Sequence, residues 1–187
     1  MKYLKSKKVA FFAAGGSAAA LLLAGAAHAI TDNVFKYSTP RTGWYGLSPM
    51  GFVPDRFNSA DGYAQAEPLY LSLANGHTGG CFDTGVNLPH NAKITGFAVW
   101  YRSDTSPSVT AAVYRSKISD GTANQVAFLS STDTSLTRKG MAVAVPDSAT
   151  ATVNNRDYVY SVLLCFNHAN DRYYAGRTTY SYATAGD

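Results

Sequence analysis

The sequence predicts an all-β protein: an antiparallel β-sandwich, jelly-roll or immunoglobulin-like in topology, with about eight to ten strands. Three observations carry this. Stretches with a period of two recur at spacings of about 8–12 residues, Gly, Pro, Asn and Asp punctuate them, and no segment after the N-terminal leader holds a helical period. Composition agrees, with 13 Tyr and 16 Gly beside only 15% charged residues.

The leader is residues 1–29. Lys2, Lys5, Lys7 and Lys8 form a cationic start, Val9 to Gly25 is uncharged and rich in Ala and Leu, and Ala27-His28-Ala29 offers the small residues a signal peptidase requires. The expectation is cleavage after Ala29 and export to the periplasm, the cell surface or the medium, with no membrane anchor retained. An Ala- and Gly-rich stretch of this length is a poor spanning helix. Of the 16 Lys and Arg, those four lysines leave with the leader, so 12 basic residues face 12 acidic ones in the mature chain. The basic pI is therefore a property of the leader, and nothing compositional points to nucleic acid.

Residues 30–39 are polar with scattered apolar positions and read as an N-terminal arm or edge strand; 40–187 read as a single sandwich domain. Pro40 to Gly46 reads as a turn followed by aromatics. In Tyr63 to Ala74, Pro68 argues against a helix, and Leu69, Leu71 and Leu73 alternate as a strand that ends at Asn75-Gly76. Further strands are expected at Gly80 to Leu88, Ile94 to Arg102, Val109 to Arg115, Gln125 to Ser131, Gly140 to Val145, Ala149 to Val153, Tyr158 to Phe166 and Tyr173 to Tyr182. Asp120-Gly121 marks a turn, and Thr95 to Tyr101, apolar in both alternating sets, suits a central strand.

Cys81 and Cys165 both survive cleavage, and an even count in an oxidising compartment reads as a disulfide joining an early strand to a late one. The alternative is a zinc site using His77 and His168, four residues before and three after the respective cysteines.

Pro40-Arg41-Thr42-Gly43, Phe52-Val53-Pro54, Val86-Asn87-Leu88-Pro89-His90-Asn91-Ala92-Lys93-Ile94-Thr95, Val113-Tyr114-Arg115-Ser116 and Arg172 to Arg177 occur as a set. With them the chain resembles a group of exported bacterial all-β domains of uncharacterised function, marked by a V-x-L-P-H-x-A-x-I-T turn and strand. The resemblance implies a compact all-β domain from Pro40 to about Tyr182; it brings no known catalytic residues to carry over and leaves the function open. Asn91 stands where the group's pattern suggests Gly, which left-handed turn geometry accommodates.

Catalytic constellations are missing from the pattern: no G-x-S-x-G elbow, no H-E-x-x-H helix, and Glu67 as the one glutamate. His77, His90 and His168 fall in expected loops, and the aspartates fall where turns need caps. No cofactor is expected; structural calcium is the remaining candidate, through Asp55 to Asp61 or Asn167 to Asp171. The sequence thus reads as a non-enzymatic surface, envelope or assembly component that partners itself or other envelope proteins, the arm 30–39 adding to a neighbouring sheet. The second reading is a carbohydrate-binding module using exposed Trp44, Tyr45, Tyr173 and Tyr174, with Tyr63, Tyr180 and Tyr182 as further aromatics; a secreted hydrolase comes third.

Overall fold

In β6 (Lys93–Ser103) Ile94, Phe97, Val99, Tyr101 and Ser103 are buried, while Ala98, Trp100 and Arg102 alternate to the other side. The same period governs β10 (Tyr158–Phe166), where Tyr160, Val162, Leu164 and Phe166 enter the core. These two strands lie in different sheets and supply much of what is packed between them.

The structure is a computed structural model that describes residues 35–55, 65–67, 69–74 and 77–185. The leader 1–29, residues 30–34 of the arm, Asp61, Tyr63 and the Asn75-Gly76 turn lie outside the described residues. Ser38–Ala183 form one compact unit. The other strands are β1 (Phe35–Leu47), β2 (Val53–Pro54), β3 (Gln65–Glu67), β4 (Tyr70–Ser72), β5 (Gly80–Gly85), β7 (Val109–Lys117), β8 (Ala123–Ser130), β9 (Ser135–Ala144) and β11 (Arg172–Ala185). A single 3-10 turn, Pro49–Gly51, is capped by the Ser48 side chain. No helix among the described residues is long and apolar enough to cross a membrane.

One sheet runs β3-β4-β11-β6-β9 with β1 also on β11; the other runs β2-β5-β10-β7-β8. The pairs β4–β11, β5–β10, β6–β9 and β7–β8 are all antiparallel. That nesting is a ribbon folded back on itself at the β7–β8 turn and wrapped across two sheets, which is the jelly roll rather than the immunoglobulin arrangement. At the fold-back, Gly121 takes φ 73° in the expected Asp120-Gly121 turn. Asn91 takes φ 62° in the Pro89-His90-Asn91 turn that leads into β6, the left-handed geometry its side chain tolerates.

Four local expectations are corrected. Pro40 to Gly46 is not a turn: β1 runs straight through it, because an edge strand tolerates a proline and Gly43 leaves the space that the Tyr180 ring fills. The strand expected at 69–74 is present but confined to β4, Tyr70–Ser72, and is paired with a further strand, β3 (Gln65–Glu67), that the pattern did not show. The Ser/Thr-rich loop before Gly140 is already strand, since β9 begins at Ser135 and pairs along β6. Ala149 to Val153 is turn and extended chain with one isolated bridge, Thr152 to Lys93, rather than a strand.

Cys81 and Cys165 are disulfide-bonded, directly opposite each other on β5 and β10 with 4.1 Å between Cα atoms, and the zinc alternative falls with that bond. Both alternate with core residues Phe82, Leu164 and Phe166, so the bridge lies on the outer side of its sheet. At one end of the sandwich a buried polar knot joins three connections. Asp171 accepts from Asp104 N–H (3.0 Å), the Ser108 hydroxyl (2.8 Å) and His168 N–H (3.0 Å), while Ser131 Oγ accepts from Ser108 and Val109 N–H. Each polar group there meets a partner, as burial demands.

Candidate functional site

The sequence-predicted aromatics separate once the faces are known. Trp44 is 62% exposed on β1, alternating with Tyr45 and Leu47, which pack on the core. Tyr45 is therefore a half-buried packing residue. Tyr173 is a correction: it is 0% exposed, its ring meets Phe52 edge-on at 5.0 Å, and its hydroxyl donates to Leu47 C=O at 2.9 Å. Burial pushes its phenol pKa far up, so it is a neutral core residue with no face for a ligand. Tyr180 and Tyr182 also lean on the core, 5.8 Å apart.

Tyr174 has a different setting. The β11–β6 register pairs Tyr173 with Tyr101 and Ala175 with Trp100, so Tyr174 is the extra residue of a bulge. It lies on the outer side, as alternation from buried Tyr173 requires, and its ring meets Tyr70 of β4 edge-on at 6.1 Å.

Trp100 stands beside it on β6 and was not among the residues singled out from the sequence. It pairs with Ala175 on one side and Gly140 on the other, two residues too small to lift it off the sheet. A Cβ on Gly140 would come within 3.2 Å of Trp100 Nε1, so the glycine is what lets the indole lie along β9. The flanking outward positions are Ala98 and Ala142, a low floor around one broad ring.

Around these rings are four arginines. Arg172 lies over Tyr70 (4.2 Å to the ring centre), Arg138 over Tyr174 (5.4 Å) and Arg177 beside Trp100 (5.7 Å). Arg102 of β6 is directly opposite Arg172 of β11, and its Nε is buried without a hydrogen-bond partner. The outer face of β4-β11-β6-β9 thus carries Tyr70, Tyr174, Trp100 and four cations across three inter-strand spacings, about 14 Å. A broad indole with flanking donors can stack an apolar ring face and hydrogen-bond its rim.

The ingredients of hydrolysis are arranged otherwise. His168 Nδ1 lies 3.0 Å from Asp104 Oδ2, the contact a general-base pair uses, but that nitrogen also accepts from Asn170 N–H at 3.2 Å. The nearby hydroxyl, Ser108, is fully buried and bonded to Asp171 and Ser103. His90 Nδ1 accepts from Asn155 N–H, a turn-holding role. The carboxylate of the Asn167 to Asp171 segment that had been a calcium candidate is occupied by the three donors given above, and no group of three His, Cys, Asp or Glu among the described residues is placed to hold a metal.

No family model matches the sequence, and neither does any curated protein. Solved structures do resemble the fold. A xylan-binding module, CBM15, aligns with a TM-score of 0.50 at 10% identity over 78% of this chain and 100% of its own. A CBM4 module aligns at 0.40 and 16% identity over 73% of this chain and 94% of its own, and a family 29 module at 0.39 and 15% over 80% and 88%. What the first of these likenesses establishes for this chain is its architecture alone, a β-sandwich.

Proposed function

We propose that the protein is an exported carbohydrate-binding module that captures a polysaccharide on the outer face of the β4-β11-β6-β9 sheet, without cleaving it. The observation that carries this reading is Trp100 lying along the sheet over Gly140, framed by Tyr70 and Tyr174 and ringed by hydrogen-bond donors. Sugars present one apolar ring face and a rim of hydroxyls, and this arrangement offers an indole for the first and guanidinium N–H groups for the second. The jelly-roll likeness to a xylan-binding module supports it at the level of scaffold. The hydroxyl and second carboxylate beside the His168–Asp104 contact, Ser108 and Asp171, are buried and bonded to other groups, which favours binding over hydrolysis.

Affinity electrophoresis against a panel of soluble polysaccharides tests the reading. At least one glycan retards the protein, and Trp100→Ala weakens that retardation about tenfold or more while the variant still melts cooperatively. Retardation by no glycan at millimolar sugar, or a Trp100→Ala variant that binds as tightly as the parent, overturns it.

A further inference from the structure

We infer that the polysaccharide is anionic, its carboxylate or sulfate groups being the partners of the four arginines on this face; the inference rests on the glycan-binding reading above and adds the ligand's charge to it. Arg102, Arg138, Arg172 and Arg177 are half of the chain's eight arginines, and they share one face of one sheet. Among the described residues none of the four has a carboxylate partner: the ion pairs join Lys93 to Asp147, Lys117 to Asp120 and Lys139 to Asp133, and Asp104 lies against His168. Lys93, Lys117 and Lys139 are each paired with an aspartate; the four arginines of this face are not.

Stability alone would not assemble this group. Arg102 and Arg172 are directly opposed on neighbouring strands, an arrangement of like charges that destabilises a sheet. Arg102 Nε is buried and unpaired as well, as is Arg115 Nε on the other sheet, so the unpaired charge of Arg102 is not there to serve a partner among the described residues. Arg172 and Arg138 lie over tyrosine rings, which hold the guanidinium planes in place and leave their N–H edges free for bidentate contact with a carboxylate or sulfate. The nearby acids do not compensate: Asp171 is buried and bound to its three donors, Asp104 bonds His168 and Asn170, and Asp133 bonds Lys139 and the Tyr101 hydroxyl.

A nucleic acid is the other polyanion to weigh. Single-strand binding uses a row of open rings for successive bases, whereas Tyr70 and Tyr174 already carry arginines and meet each other edge-on, leaving one indole. The repeat charge of a uronic-acid or sulfated chain needs no such row.

The mature chain is titrated with polygalacturonate, chondroitin sulfate, neutral xylan and single-stranded DNA, at low salt and at about 0.5 M salt. The expected result is binding to polygalacturonate, chondroitin sulfate or both, the better of the two naming the anionic group, weakened about tenfold or more by salt. Arg102→Gln with Arg172→Gln weakens it about a hundredfold, Arg172→Lys by less than Arg172→Gln, with melting temperatures unchanged or raised because the opposed charges are gone. Binding to xylan alone, insensitive to salt and to the arginine variants but lost in Trp100→Ala, overturns the charge inference and leaves the glycan reading standing. Binding to none of the three polysaccharides overturns both, and so does DNA binding tighter than that of any polysaccharide.

Discussion

Replacing Cys81 and Cys165 together by serine isolates what the disulfide contributes. The cross-link joins residues 84 apart in sequence, and closing a loop of that length in the unfolded chain is worth about 4.6 kcal/mol by loop-closure entropy. Little else is lost with it. Both positions are half-buried on the outer side of the β5–β10 pair, so serine hydroxyls reach water, and ten further residues continue the register on either side of the bridge. At about 2–4 °C per kcal/mol for a chain of this size, the melting temperature falls by roughly 9–18 °C. Urea unfolding followed by far-UV circular dichroism separates mechanism from magnitude. An effect acting through the unfolded state lowers the midpoint and raises the slope m, because the unlinked chain exposes more surface. A loss under about 1 kcal/mol, or a full loss with m unchanged, refutes the entropic account. Sugar binding well below the melting transition stays at the parent level, since the bridge lies in the sheet opposite the candidate site.

Asp171→Asn turns one acceptor oxygen into a donor facing backbone N–H groups or the Ser108 hydroxyl, and unfolding in urea registers a loss of about 2–4 kcal/mol. Tyr173→Phe leaves Leu47 C=O without its buried donor, at about 1–2 kcal/mol near neutral pH. Because burial raises the folded pKa of Tyr173, the unfolded chain loses that proton first; stability present below about pH 10 drains away above it, by up to about 1.4 kcal/mol per pH unit, and Tyr173→Phe flattens that alkaline slope in pH-dependent melts. Gly140→Val drives methyl groups into the Trp100 indole, so glycan affinity drops about fivefold or more with a shifted tryptophan emission, while the exposed position keeps the melting change small. An unchanged spectrum and affinity would mean that Gly140 does not seat the indole.

Much of the scaffold was legible because alternation and turn chemistry agree along the chain. Tyr158 to Phe166 appears at its expected bounds, and the Asp120-Gly121 turn is the ribbon's fold-back. Legibility failed where local signals were outweighed by pairing. Pro40 and Gly43 punctuate β1, yet β11 supplies a partner and the Tyr180 ring occupies the space above the glycine. Ala149 to Val153 has strand-like residues, but its polar groups go to turn bonds with Ser148 and to single contacts with Ala92 and Ile94. The choice between jelly roll and immunoglobulin topology depends on which distant strands pair, which no local pattern encodes.

The site was only partly legible, for a reason specific to β-structure. Tyr173 and Tyr174 are adjacent in sequence and equally aromatic, but a strand sends neighbours to opposite faces, and only the pairing of Tyr173 with buried Tyr101 shows which of the two is core. Trp100 passed as one of two apolar sets in a central strand, although only the set of Val99 and Tyr101 enters the core and alternation assigns Trp100 to the other face. The stronger clue was the company it keeps at that parity. Arg102 two residues on, near the end of β6, and Arg172 two before Tyr174, at the start of β11, are cations at the same parity as these aromatics, where a face buried against a second layer would be apolar. An aromatic and an arginine spaced by two on each of two strands mark a face that meets something other than the core. With the register known, those two pairs lie side by side, and Trp100 shares its surface with four arginines that have no carboxylate partner among the described residues.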